Sequence, residues 1–277
     1  MNKLLSKLLC AIVILFGSHP ANAGSASDTS KLFASNSGTS VKAYTKTVVK
    51  EANVNYPTSL EAHKDESLDY VQSYSKNKRQ YLINTYKRGK SFFPRIVSVL
   101  KKHSLPQELK VLIALESAFN ANALSYAGAK GYWQFMDAPA KEYGLKIVEA
   151  KDTAAIRLKK KDDRTNLAKS TLAAARYLKD RAKNLNNNLL LMVASYNWGI
   201  GNVRNAMRKT GKDNPDFWDI KKYLPTETKN YVMNFIALNV IFENYDNFSK
   251  NQMVFNPQTI EVPITDNISK INTAITE

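Results

Sequence analysis

The chain has 277 residues and carries 40 lysines and arginines against 24 aspartates and glutamates, a formal net charge of +16. This length allows a domain to bury its own apolar core without cross-links. The only cysteine, Cys10, lies in the leader described next, so disulfides, thiol nucleophiles and cysteine metal sites are excluded from the remainder. A strongly basic chain attracts polyanions such as cell-wall polymers, anionic lipid surfaces or nucleic acid, and charge alone does not choose among them.

Residues 1–23 have the pattern of a secretory signal peptide. Lys3 and Lys7 give a basic start, residues 8–16 are apolar, and Ala21-Asn22-Ala23 is a small-residue cleavage site. The apolar stretch is far shorter than the roughly 20 residues that a membrane-spanning helix needs. We predict cleavage after Ala23, export, and a mature chain without a membrane span. Its net charge would be +16 − 2 = +14, because the leader holds two lysines and no acidic residue.

The remaining chain divides by composition into three parts. Residues 24–59 are rich in small and polar residues and lack a sustained hydrophobic period, which predicts a flexible tether. Residues 60–250 are helical in pattern and predict a single all-α domain of ordinary size. Within it, Leu189–Ala194 is apolar on every side and should lie at the centre of the helical bundle. Residues 251–277 form a tail in which only Thr259–Val262 alternates like a strand.

Glu116 stands on the apolar stripe of a predicted helix. Ser104 is the predicted N-cap, with Pro106 in the first turn. The stripe follows at i, i+3, i+4 and i+7: Leu109, Leu112, Ile113 and Glu116. Burial at that place would raise the pKa of the Glu116 carboxyl and keep it protonated near neutral pH, as general-acid catalysis requires. A buried glutamate paired with a lysine or arginine is the structural alternative.

Polar and aromatic residues follow in two further segments. In residues 125–136, Gly128 and Gly131 permit tight turns, and the aromatic residues could either stack on sugar faces or belong to the core. Gln134 offers a donor and an acceptor for hydroxyl or acetamido groups. In the second segment, residues 195–199 emerge from the end of the apolar helix, where they could line a cleft or form a helix cap.

The order and spacing of these segments resemble the Slt-type lytic transglycosylases of glycoside hydrolase family 23, and most closely the membrane-bound transglycosylase D branch. The matching motifs are E-S-x-F at 116–119, S-x-x-G-A-x-G-x-x-Q-F-M at 125–136, A-x-Y-N-x-G at 194–199 and L-P-x-E-T-x-x-Y-V at 224–232. The resemblance covers roughly residues 65–250. It implies an all-α, lysozyme-like helical catalytic domain behind the flexible N-terminal tether.

By this resemblance, Glu116 is the single catalytic acid and base. Seven other residues match substrate-binding positions of the family cleft: Ser125, Gln134, Met136, Tyr196, Asn197, Glu227 and Tyr231. The sequence departs from the family at Asn166, where a D-x-R-x-D element usually ends in an acid, which puts a salt bridge at that corner in doubt. Relatives commonly continue into LysM modules, and no such module fits in residues 251–277.

The implied activity is that of a periplasmic, wall-associated peptidoglycan lytic transglycosylase, with peptidoglycan glycan strands as partner. It cleaves the β-1,4 bond between N-acetylmuramic acid and N-acetylglucosamine and leaves 1,6-anhydromuramyl ends, with neither metal nor cofactor. Two alternatives stay open: a lysozyme-type muramidase that hydrolyses the same bond, and a catalytically silent wall-binding scaffold. A nucleic-acid binder is disfavoured, because the sequence contains no recognition motif for it.

Overall fold

The computed structural model describes residues 45–149, 152–155 and 160–263, and contacts divide this part of the chain into two units. One unit is helical and comprises the described residues between 54 and 253. The other is a small sheet formed by residues 45–53 and 254–263. The predicted signal peptide and the first part of the predicted tether lie outside the described residues.

The helical unit consists of α-helices joined by turns and brief 3-10 helices. The α-helices are α1 (Lys64–Asn77), α2 (Arg79–Gly89), α3 (Phe93–Lys102), α4 (Leu112–Ser117), α5 (Asp137–Glu142), α6 (Leu167–Asn184), α7 (Leu189–Trp198), α8 (Ile200–Arg208), α9 (Phe217–Ile220), α10 (Thr226–Glu243) and α11 (Tyr245–Ser249). The 3-10 helices are Thr58–His63, Gln107–Val111, Asp163–Thr165 and Lys221–Tyr223. The predicted all-α class is confirmed for this unit. Among the described residues, no helix combines the length and apolar character needed to cross a bilayer.

Helices α7 and α10 form the centre of the helical unit. Every residue from Leu189 to Ser195 on α7 is buried, which confirms the central position predicted from its composition. Helix α10 buries every residue from Phe235 to Phe242 and packs against α1, α4 and α7. The contact with α4 brings the beginning of α10 to the helix that carries Glu116.

The start of the Glu116 helix differs from the sequence prediction. Ser104 lies in the left-handed region, at φ 52°, and caps no helix. The helical path begins at Gln107 as a 3-10 helix and becomes α4 only at Leu112. Pro106 precedes it in an extended conformation, with ψ 133°, and fixes where the turn can begin. The predicted apolar stripe is nevertheless correct, since Leu109, Leu112 and Ile113 are fully buried.

The predicted tether extends too far toward the domain. Val54 and Tyr56 are buried, and the Asn55 amide donates a hydrogen bond of 2.9 Å to Oδ1 of Asn244. The Tyr56 hydroxyl lies 3.1 Å from the Ser67 hydroxyl at the start of α1. Residues 54–59 therefore belong to the helical unit, because two of their side chains bury apolar surface that a tether would leave in water.

The small sheet contains a strand that the sequence analysis missed. Strand β1 (Thr45–Lys50) pairs antiparallel with β2 (Gln258–Pro263), with Val48 opposite Ile260. The Asn53 amide donates to the Val254 carbonyl at 2.9 Å and continues the pairing. The strand-like alternation at Thr259–Val262 falls within β2, whereas β1 has the same length and pairs with a partner remote in sequence.

Candidate active site

Glu116 lies in the last turn of α4 with only 8% of its surface exposed. Its Oε1 accepts a hydrogen bond of 2.5 Å from the hydroxyl of Tyr231 on α10. Burial raises the pKa of Glu116 from 4.5 to about 7, and the hydrogen bond from Tyr231 opposes part of that rise. Burial also raises the pKa of Tyr231 well above 10, so its hydroxyl remains a proton donor. The alternative of a buried glutamate paired with a cation is wrong, because its described partner is a neutral phenol.

The chain reverses direction immediately after Glu116. Ala118 and Phe119 both adopt left-handed conformations, at φ 47° and 66°. The Phe119 ring packs at 5.7 Å against Phe93 in an edge-to-face arrangement. The Ser117 hydroxyl donates to the Tyr132 carbonyl at 2.8 Å and joins the end of α4 to the following loop. The carboxyl and the loop are thereby held in a fixed relation.

Two predicted cleft residues shape the loop between α4 and α5. The Ser125 Oγ accepts a hydrogen bond from the Ala129 amide at 2.9 Å. The Gln134 Nε2 donates to the carbonyls of Ala123 and Gly131, at 3.1 and 2.9 Å. Both protons of this side-chain amide are therefore used inside the loop. Among the described contacts, the Oε1 of Gln134 is left as the atom that could meet a ligand.

The aromatic residues of this loop divide into core and surface. Trp133 is fully buried, and its indole nitrogen donates to the Thr171 hydroxyl at 3.0 Å. Phe135 is buried as well, so neither ring can serve as a platform for a sugar. The exposed ring is that of Tyr126, next to Ser125, which the sequence analysis did not single out.

Tyr196 and Asn197 reach the site from the end of α7. The Tyr196 hydroxyl donates to the Trp133 carbonyl at 2.8 Å, and the Asn197 Oδ1 accepts from the Thr228 hydroxyl at 2.9 Å. The Tyr196 ring stands edge-to-face on Tyr177 at 5.3 Å. Both of these tyrosines lie close enough to Tyr231 to raise its pKa, after the larger effect of its burial. Glu116 and three tyrosine hydroxyls thus share one neighbourhood.

Sequence reasoning missed two members of this neighbourhood, Tyr177 and Thr228. Tyr177 follows Ala174 by three residues on α6, so its place beside the buried stripe of that helix was the available signal. Thr228 lies inside the matching motif at 224–232, but nothing local connects it with Asn197, since the two are 31 residues apart.

Met136 and Glu227 lie on elements next to those that carry the site. Met136 is half-buried and directly precedes α5. Glu227 is half-buried in the first turn of α10, four residues before Tyr231, and therefore on the same side of that helix. No described hydrogen bond joins either residue to Glu116. Their part in substrate binding remains a prediction.

A buried charge cluster centred on Arg164 holds the loop between α4 and α5 in place. Arg164 donates to both carboxylate oxygens of Asp162, at 3.0 and 2.8 Å, to Asp137 at 2.6 Å and to the Phe135 carbonyl at 3.3 Å. Burial alone would raise the pKa of Asp162, but the Arg164 guanidinium holds it below its ordinary value. A Cβ on Gly131 would lie 2.0 Å from the Arg164 carbonyl oxygen, so only glycine fits there.

The corner at Asn166 keeps its ion pairs despite the missing acid. Asp163 binds Lys169 at 2.7 Å, next to the Arg164 cluster. Asn166 instead caps α6, where its Oδ1 accepts from the Lys169 amide at 3.0 Å. Within the described ranges, no three His, Cys, Asp or Glu side chains converge as a metal site would require.

Comparison with known proteins places this geometry in context. Residues 96–218 match the family model described as "Transglycosylase SLT domain". The chain is 34% identical over 182 residues to membrane-bound lytic murein transglycosylase D of Escherichia coli, covering 65% of this chain and 37% of that protein. It is 30% identical over 151 residues to membrane-bound lytic murein transglycosylase F of Aeromonas salmonicida, covering 50% and 27%. The matched part thus spans little more than a third of the first relative.

A solved structure of an inactive mutant of lytic transglycosylase Slt from Pseudomonas aeruginosa is also similar. It shares 24% sequence identity, covers 56% of this chain and 24% of its own, and gives a TM-score of 0.41.

Proposed function

Because residues 96–218 match the family model described as "Transglycosylase SLT domain", we propose that this protein is a peptidoglycan lytic transglycosylase. It cleaves the β-1,4 bond between N-acetylmuramic acid and N-acetylglucosamine and leaves 1,6-anhydromuramyl ends. The observation that carries the proposal is the buried carboxyl of Glu116, whose pKa of about 7 leaves it able both to give and to take a proton near neutral pH.

The proposed reaction uses Glu116 twice. Its protonated carboxyl first gives a proton to the bridging oxygen, and the bond from that oxygen to the anomeric carbon of the muramyl sugar breaks. The carboxylate then takes the proton of the muramyl carbon-6 hydroxyl, whose oxygen forms the new bond to the same anomeric carbon. No water is consumed, and the internal nucleophile has the advantage of proximity. Most glycoside hydrolases use a second carboxyl group; here, the described hydrogen bond to the Glu116 carboxyl comes from the Tyr231 hydroxyl.

The surrounding residues orient this carboxyl and its substrate. The Tyr231 hydroxyl engages Oε1 of Glu116, which leaves Oε2 to face the glycosidic oxygen. We assign Asn197 and the Oε1 of Gln134 to the muramyl sugar, since both lie on segments that are hydrogen-bonded to their neighbours and therefore rigid. Ser125, Met136, Tyr196 and Glu227 complete the proposed cleft.

The test is mass spectrometry of muropeptides released from purified peptidoglycan. Products one water lighter than reducing-end forms would support the proposal. Ordinary reducing ends would identify a hydrolase of the same bond, and binding without release would identify a silent wall-binding scaffold. Glu116→Gln should fold yet lose turnover. Glu108→Gln is the matched control, because Glu108 is buried to the same 8% exposure in the preceding 3-10 helix.

We also propose that the protein acts outside the cytoplasm, at the cell wall. The leader pattern of residues 1–23 and the murein named in both relatives support this location. The protein recovered from the cell exterior or periplasm should begin at Gly24, as N-terminal sequencing would reveal. An intact Met1 on that protein would overturn the predicted cleavage.

A further inference from the structure

A cavity lies away from Glu116, and none of the proposed cleft residues lines it. It has a volume of about 400 Å³, within the usual range for pockets that bind small molecules. Five lysine side chains line it: Lys141, Lys146, Lys160, Lys161 and Lys169. We call this cavity the lysine pocket. Its walls come from the end of α5, the extended segment after it and the start of α6.

Charge in the lysine pocket is only partly balanced. Three of its lysines are paired with acids: Lys141 with Glu149 at 2.6 Å, Lys160 with Asp152 at 3.0 Å, and Lys169 with Asp163 at 2.7 Å. Lys146 and Lys161 are exposed and form no salt bridge within the described ranges, although the Lys146 charge also helps to lower the pKa of Asp163. Five lysines against Glu149, Asp152 and Asp163 leave the pocket with a net excess of 5 − 3 = 2 positive charges, which favours an anionic ligand.

The lysine pocket also has an apolar floor. Leu145 and Ile147 are 6% and 3% exposed and line the cavity on either side of Lys146. All three residues line the cavity, so a ligand there can meet the Lys146 ammonium and the small apolar surface that Leu145 and Ile147 leave exposed. A suitable ligand combines carboxylates with small apolar groups. A short acidic peptide containing alanine has this composition, whereas a bare inorganic anion would leave the floor unused.

The position of the lysine pocket suits a branch of the glycan substrate. Helix α5 starts beside Met136 and reaches the pocket at Lys141, and its six residues span about 9 Å. Arg164 binds Asp137 at the start of α5, while the neighbouring Asp163 lines the pocket. An extended peptide covers about 10 Å with three residues. If Met136 lines the cleft as proposed above, a stem peptide attached to the muramyl sugar is long enough to reach the pocket.

We propose that the lysine pocket binds the acidic stem peptide of peptidoglycan through Lys146 and Lys161, with alanine methyl groups on Leu145 and Ile147. This inference rests on the proposed function for its substrate. It assigns the pocket to substrate affinity, with no part in bond cleavage.

The test compares the full chain with the double variant Lys146→Glu/Lys161→Glu. The first probe is a soluble stem tetrapeptide, titrated by calorimetry or by NMR. The variant should bind it roughly tenfold more weakly or worse, the size expected for reversing two exposed charge contacts. The second probe is turnover. For the variant, KM should rise on peptidoglycan that carries peptides and stay unchanged on glycan strands stripped of peptides by an amidase. Its kcat should equal that of the unmodified protein on both substrates.

A charge-matched control distinguishes an effect of the pocket from an effect of the protein's net charge. Lys76→Glu/Lys87→Glu makes the same change at exposed lysines of α1 and α2. It should leave tetrapeptide binding unchanged. An equal loss in this control, an equal rise of KM on stripped strands, or unchanged tetrapeptide binding in the pocket variant would overturn the inference. Tighter, lysine-dependent binding of a phosphodiester oligonucleotide would overturn it in favour of phosphate polyanions.

Failure of the proposed function gives a different result. If the unmodified protein releases nothing from either form of peptidoglycan, the catalytic proposal fails. Tetrapeptide binding then tests the proposal for the lysine pocket independently. Lysine-dependent binding supports that proposal, and absence of binding by the unmodified protein overturns it.

Discussion

Replacing Glu116 by glutamine should remove the activity and stabilise the fold at the same time. The pKa of Glu116 is about 7 in the folded protein and 4.5 when the side chain is in water. The folded state therefore binds this proton more tightly than the unfolded chain, and stability falls as pH rises from about 4.5 through about 7. At about 1.4 kcal/mol per pH unit, the loss amounts to roughly 3 kcal/mol above pH 8.

Glutamine keeps the shape and the acceptor for Tyr231 but has no proton to lose. Glu116→Gln should thus match the unmodified protein below about pH 4.5 and exceed it by roughly 3 kcal/mol at pH 8, or by about 6–12 °C in Tm for a unit of this size. Urea and thermal unfolding across pH 4 to 8.5 measure the difference. A variant that is less stable at pH 8, or a difference that does not change with pH, would refute the reasoning.

Three further changes test the contacts around the site. Tyr231→Phe removes the bond that favours the Glu116 carboxylate, so the alkaline limb of the pH–rate profile should move up by about 1–2 units; an unmoved limb contradicts this. Gly131→Ala should cost roughly 3 kcal/mol or more in urea unfolding, because its Cβ would meet a carbonyl at φ 82°, whereas Gly201→Ala in the open α8 should stabilise by about 0.5–1 kcal/mol. Arg164→Ala should lower the free energy of unfolding by about 3–5 kcal/mol, and a loss below 1 kcal/mol would show that its buried ion pairs are not needed.

The sequence predicts those features of the site that are encoded by residues close together in the chain. The spacing of Leu109, Leu112 and Ile113 lies within one helical repeat, so the burial of Glu116 could be inferred without knowledge of the fold. The partner of Glu116 could be named only by resemblance, since Tyr231 is 115 residues away and no periodicity links them. The periodicity of α6 could place Tyr177 beside the buried stripe of that helix, but its role depends on how α6 packs beside α7.

The two misplaced elements have different physical causes. Ser104 has the composition of an N-cap, but its left-handed backbone closes the end of α3, where the Leu105 amide donates to the Leu100 carbonyl at 3.0 Å. Strand β1 has a weak pattern of its own and exists through pairing with β2, which composition cannot reveal. The first cause is local to the end of α3, whereas the second is a contact between segments about 200 residues apart.

The contact between α4 and α10 has a consequence for the order in which the chain matures. Tyr231 belongs to one of the last helices of its unit, so a nascent or partly folded chain lacks it. Until α10 docks, Glu116 stays hydrated and remains an ordinary ionised glutamate at neutral pH. Because α10 is also part of the centre of the unit, we expect such a chain to have neither an assembled cleft nor a protonated carboxyl at Glu116. Reactivity would then arise only once folding is nearly complete, which keeps an unfinished molecule harmless to any polymer it touches.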